Sequence, residues 1–196
     1  MPEFTRYLHS KHVFVPGMSD EERLVMFVLS RSPLTMQIGL PEFVTNVIRV
    51  ASTVLPRLYC QEGDTTKPFL EHVATSACLP LLLGKSSTLV EGERKHSQRV
   101  RLERLVVNHA ALQAVEYTRV RDETDITSEW LALQVQYDVT EHLVLLPGQE
   151  KAMPERRVLK TRFGWTFETE VTRPESLDWV LVHATPFEEK QALGAN

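Results

Sequence analysis

Between Leu131 and Val139 the chain alternates without a break. Leu131, Leu133, Val135, Tyr137 and Val139 are apolar or aromatic, and Ala132, Gln134, Gln136 and Asp138 lie between them. A side-chain period of two puts successive residues on opposite sides of a strand, so one side packs on a core and the other tolerates water. The same period returns from Arg157 to Val171, where Leu159, Thr161, Phe163, Trp165, Phe167, Thr169 and Val171 are in phase. Two long strands of this kind need a second layer to cover their apolar side.

The first half of the chain supplies helices for that layer. Ser19 reads as an N-cap, Glu22 completes a capping box, and Asp20 and Glu21 fall in the first turn, where the helix dipole favours acids. The run EERLVMFVLS is then predicted helical until Pro33 stops it. A second helix is predicted after Pro41, with Phe43, Val44, Val47, Ile48, Ala51 and Leu55 on a broad apolar face, and Pro56 either bends or ends it. A third begins near Thr66 with Pro68 in its first turn, and its stripe is Phe69, Leu70, Val73, Ala77 and Leu81.

From about residue 99 the pattern turns to strand. Val100, Leu102 and Arg104 are assigned to one side. The poor alternation of LVVNHAALQAVEYTRV calls for two strands, or for one bent strand with a bulge or turn around Asn108 to Ala111. A final strand, Asp178 to Ala184, is read with Trp179, Leu181 and His183 on one side. Helices first and antiparallel strands after give an α+β domain. The expected organisation is an extension over 1–18, one domain over 19–187 and a tail over 188–196.

Composition excludes little beyond this. The 196 residues are 42% hydrophobic and 24% charged, and 22 basic against 26 acidic side chains give a net charge of −4, which does not suggest a general nucleic-acid binder. Cys60 and Cys78, the only cysteines, are too few for a zinc site and are read as reduced thiols in an intracellular or organellar compartment. No run approaches twenty apolar residues. The opening MPEFTRYLHSKHVFVPG resembles neither a secretory signal nor a transit peptide.

No coherent reaction centre emerges. The seven histidines show no His-Glu-x-x-His helix, and GKSS at Gly84–Ser87 lacks the upstream glycine spacing of a phosphate loop. His109 and His183, with Asp138 or Glu168, form the only catalytic constellation worth testing, one that needs the sheet to bring them together. The reading is therefore of a non-catalytic protein with no cofactor and no metal.

Positive charge is concentrated in two stretches. One contains Arg94, Lys95, Arg99, Arg101 and Arg104; the other contains Arg156, Arg157, Lys160 and Arg162. Antiparallel pairing can merge them into a patch that holds a phosphate backbone without reading bases. Leu24, Val25, Phe27, Val28 and Leu29 make the first helix more apolar than a single stripe requires, which leaves core burial and docking to a partner both open.

Three stretches carry a family resemblance: LPRLYCQEGDTTKPFLEHVAT (55–75), SEWLALQVQYDVTEH (128–142) and FGWTFETEVTRPESLDWVLVHATPF (163–187). In the last, Phe167-Glu168, Thr172, Pro174, Trp179 and His183 follow an aromatic-acidic strand, a Thr-x-Pro turn and a closing Trp-x-x-x-His strand. The chain thereby resembles the C-terminal domain of the mitochondrial inner-membrane import-motor scaffold and its relative, a mitochondrial large-subunit ribosomal protein. That resemblance implies a nuclear-transport-factor-2-like cone, with helices packed on a strongly curved antiparallel sheet. It also implies a non-enzymatic structural subunit on the matrix side of the inner membrane, touching ribosomal proteins and rRNA. The alternatives are a peripheral scaffold of an import, respiratory-chain or ATP synthase complex, and a small-molecule enzyme.

Overall fold

The computed structural model describes residues 5, 13–31, 38–59, 66–83, 99–121, 127–146, 153–172, 177–185 and 188–193. Among the described residues three named helices, α1 (Asp20–Leu29), α2 (Leu40–Tyr59) and α3 (Thr66–Val73), precede five strands. These are β1 (Arg99–Arg121), β2 (Thr127–Leu146), β3 (Glu155–Glu170), β4 (Val180–Ala184) and β5 (Glu188–Leu193). All strand pairings are antiparallel. The sheet runs β1-β2-β3-β4, and β5 takes the remaining length of the β3 edge.

The α+β layering is present, but the cone is not. The sheet is neither curled nor closed: β1 lies at one edge and the five-residue β4 at the other, with no pairing between them. A cone would leave a hollow inside its curve. Here α2 lies over the inner face, and its Phe43, Val44, Val47, Ala51, Val54 and Leu55 are buried in one core with the sheet.

The helix starts follow local chemistry. The Ser19 hydroxyl accepts from the Glu22 amide at 3.3 Å and the Glu22 carboxylate accepts from the Ser19 amide at 2.9 Å, which closes the capping box. α2 continues through Pro56 to Tyr59. α3 stops at Val73 instead of reaching Leu81, because Ala74 bridges to Leu181 and the Thr75 amide donates to the Leu181 carbonyl at 2.9 Å. A separate helical turn over 79–83 follows, and the Cys78 amide donates to Thr75 just before it.

The core face of β2 and β3 follows the alternation. Leu131, Leu133, Val135, Tyr137 and Val139 are buried, as are Phe163, Trp165 and Phe167. Tyr137 stacks on Phe163 with ring centroids 5.0 Å apart, and Trp165 meets both Tyr137 and Phe163 at 5.3 Å. The Tyr137 hydroxyl donates to the Val47 carbonyl at 3.2 Å, tying the sheet to α2.

β1 departs from simple alternation three times. Register shifts fall between Leu102 and Arg104, Val107 and His109, and Leu112 and Ala114, so Glu103, Asn108 and Gln113 are extra residues spaced five apart. Each is exposed. A bulge resets which side the following residues face, so Val100, Leu102, Leu105, Val107, Ala110, Leu112, Val115 and Tyr117 all pair with core-phase residues of β2. Arg104 consequently leaves the side of Val100 and Leu102. β4 has the same device at Val182: Leu181 and Ala184 take the core side, and His183 turns away from it.

Segments near both ends join this framework. Val13 and Phe14 are buried, and Leu112 exchanges backbone hydrogen bonds with Val13 and Val15 at the β1 edge. Near the other end, β5 pairs with Val158–Arg162 of β3. Beside it, the Gly164 amide donates to the Thr185 hydroxyl at 2.6 Å. A Cβ at Gly164 would sit 3.1 Å from that oxygen, which accounts for glycine there.

Candidate functional site

The outer face of the sheet is polar, and its composition follows from the register. Residues directly opposite one another share a side. Arg101 and Arg156 flank Val144, Arg104 flanks His142, Lys160 flanks Thr140, and His109 and Arg162 flank Asp138. Two strand spacings, roughly 10 Å, separate the β1 and β3 members of each row. The two basic stretches thus meet across β2 on one face.

Within this patch the charges are unequal. Arg162 is held by Asp138 through two hydrogen bonds, at 2.8 and 3.3 Å, and Arg156 reaches Glu103 at 3.2 Å. Arg101, Arg104 and Lys160 are exposed and have no ion pair among the described residues. Lys160 and Arg162 line a shallow concavity of about 520 Å³ with Asn108, Asp138 and Thr140. The Asn108 amide donates to Thr140 across its floor at 2.7 Å.

Other predicted site residues lie elsewhere. Arg157 pairs with Leu143 on the core side of the sheet end and bonds Glu155 at 2.8 Å, so it leaves the patch. Arg99 pairs with Leu146, one same-face position beyond Arg101. Arg94 and Lys95 lie outside the described residues.

The sheet does not assemble the histidine constellation. His109 sits opposite Asp138 on β2, whereas His183 sits opposite Thr166, whose other neighbour is Gln134. That separates them by three strand spacings, roughly 14 Å, and by four residues along β2, roughly 13 Å more in the perpendicular direction. Among the described residues no group of three His, Cys, Asp or Glu side chains could hold a metal, and no helix is long and apolar enough to cross a membrane.

One titratable site escaped the sequence reading. Glu141 is fully buried on the core face, and its Oε1 accepts a hydrogen bond from the Tyr59 hydroxyl at 2.8 Å. Among the described residues its Oε2 is buried without a hydrogen-bond partner, and so is the hydroxyl of neighbouring Thr161. Burial raises the Glu141 carboxyl above the ordinary carboxylate range, against smaller opposing effects of Tyr59 and Thr161. Tyr59 is raised as well, first by burial and then by Glu141. The available signal was phase: Glu141 continues the odd-numbered series of Leu131 to Val139, so an acid occupied a core position.

No family model matches this chain, and no curated protein matches it in sequence.

Proposed function

We propose that this chain is a non-catalytic structural subunit of an RNA-containing assembly, and that its outer sheet face lies against the phosphate backbone of that RNA. The mitochondrial ribosomal large subunit is the assembly implied by the three stretches that resemble its family. The observation that carries the reading is the placement of Arg101, Arg104 and Lys160 on one face of the sheet, all three exposed and without ion pairs among the described residues. Arginine and lysine so placed hold phosphates and fix orientation without discriminating bases.

The test is gentle native purification, with identification of all protein and RNA in the particle. The expected result is stoichiometric rRNA with ribosomal proteins. Reversing Arg101, Arg104 and Lys160 to glutamate should release the subunit from the particle. For the purified wild-type protein, raising salt from 50 to 200 mM should weaken RNA binding about ten- to hundredfold. Association that survives both RNA removal and charge reversal would sink this reading.

A second reading, a peripheral scaffold of another inner-membrane complex, draws on α1. That helix buries only Met26 and leaves Val25 and Val28 51% and 57% exposed. Under that reading the subunit stays with hydrophobic partners after RNA is digested, and V25D/V28D, not charge reversal, releases it.

A further inference from the structure

On the opposite side of the sheet from the basic patch, a cleft of about 360 Å³ opens between the N-terminal half of α2 and the β3-β4 end of the sheet. Its volume lies within the range of small-molecule sites, which are mostly apolar with a few polar groups for orientation. Three aromatic residues, Phe43, Phe167 and Trp179, contribute to its lining. Phe43 joins the set, meeting Phe167 at 5.9 Å and Trp179 at 4.7 Å between ring centroids. Val50 adds an aliphatic wall.

Two polar side chains also line it, both from α2 and four residues apart. Asn46 accepts from Arg49 at 2.8 Å through its carbonyl oxygen, and its NH2 is a further donor. Glu42 has no ion pair among the described residues and is exposed. It folds toward the lining residue Gly39: a Cβ there would lie 3.5 Å from both Cβ and Oε2 of Glu42. Among the described residues, the cleft therefore combines aromatic and aliphatic walls with one negative charge that has no ion pair, and no basic side chain lines it. Aromatic faces attract cations, and a carboxylate supplies the counter-charge.

We infer that this cleft is a binding site for a small organic cation, an apolar body bearing a single ammonium group, with the body among the aromatic residues and the ammonium at Glu42. The neutral counterpart of such a ligand keeps the apolar contacts and loses the ion pair. An anionic counterpart meets Glu42 as a like charge.

The test titrates the full chain with 2-phenylethylamine, 2-phenylethanol and phenylacetate. Binding is followed by calorimetry and by the NMR shift of the Trp179 indole, assigned through Trp179→Phe. The amine should bind about three- to tenfold more tightly than the alcohol, and phenylacetate should not bind. Glu42→Gln, at an exposed position, should bring the amine down to the alcohol's affinity and leave the alcohol unchanged. Val50→Trp, which fills the cleft, should abolish both. Equal binding of amine and phenylacetate, no binding of any probe, or an amine preference that survives Glu42→Gln would overturn the assignment. Circular dichroism of each variant separates loss of binding from loss of fold. RNA association of Glu42→Gln should be unchanged, so this site and the basic face stand or fall separately.

Discussion

The two faces of β1-β2-β3 are made from the same strands, residue by residue in turn, yet they are held together differently. The inner face buries Leu131, Leu133, Val135, Tyr137, Phe163, Trp165 and Phe167, and its order comes from close packing, with hydroxyl bonds joining it to α2 at Tyr137–Val47 and Tyr59–Glu141. The outer face is ordered by polar pairs across strands, Asp138 with Arg162 and Asn108 with Thr140. Packing energy scales with apolar area removed from water, whereas half-exposed ion pairs are screened and contribute little. Stability should therefore reside on one face, leaving the other free to carry charge for a partner.

The sharpest way to break that contrast is on the inner face. Trp165→Ala removes a fully buried indole and should cost about 3–5 kcal/mol in urea unfolding. Tyr137→Phe removes only the hydroxyl that reaches Val47 and should cost about 1 kcal/mol, since the carbonyl loses a partner while the stack on Phe163 is kept.

Glu141 is the exception inside the apolar face, and it adds a pH dependence. Its carboxyl is raised in the folded state by burial, so the folded chain binds this proton more tightly than the unfolded chain does. The stabilising contribution is fully present below the ordinary carboxylate range and is lost as pH rises through the raised folded value. Stability measured from pH 4 upward should carry a declining contribution that Glu141→Gln removes, and the glutamine variant should be the more stable at neutral pH. An unchanged pH profile in that variant would show that Glu141 ionises as freely in the folded state as in the unfolded one.

The outer face should give the smallest stability effects. Asp138→Asn breaks a pair whose side chains are 31–35% exposed and should cost about 0.2–1 kcal/mol. Arg101→Ala, Arg104→Ala and Lys160→Ala should each stay within about 0.5 kcal/mol of wild type in the same unfolding experiment. A loss of several kcal/mol there would mean that these cations hold the sheet together and that the two faces do not divide their roles.

Much of this framework was legible without coordinates, in proportion to how local its cause is. The capping box at Ser19 and the apolar face of α2 depend on neighbours within a turn or two. The two-residue period of β2 and β3 is likewise written along each strand. The Asn108 bulge left a visible fault in the alternation. The sequence does not single out Glu103 or Gln113, because leucines spaced by residues such as Arg and Glu, or Gln and Ala, do not say which residue between them is the extra one. Arg104 was consequently assigned to the side of Val100 and Leu102, and His183 to the side of Leu181, each one bulge away from its position. The expected cone failed for a related reason. Strand content and order do not state how far a sheet curls, and here α2 lies on the inner face of a sheet whose edges stay apart.

The sequence by itself determined the α+β order, the helix starts and the core phase of the two central strands, since each rests on side-chain periodicity and hydrogen bonds a few residues apart. Only the tertiary structure decided which cations share a face and which acid lies buried. A bulge is defined by the strand opposite, and Arg104 joins Arg101 and Lys160 only because β2 skips Glu103. Glu141 likewise meets Tyr59 from the far end of α2, a contact set by how helix and sheet stack. Such pairings depend on packing between distant segments.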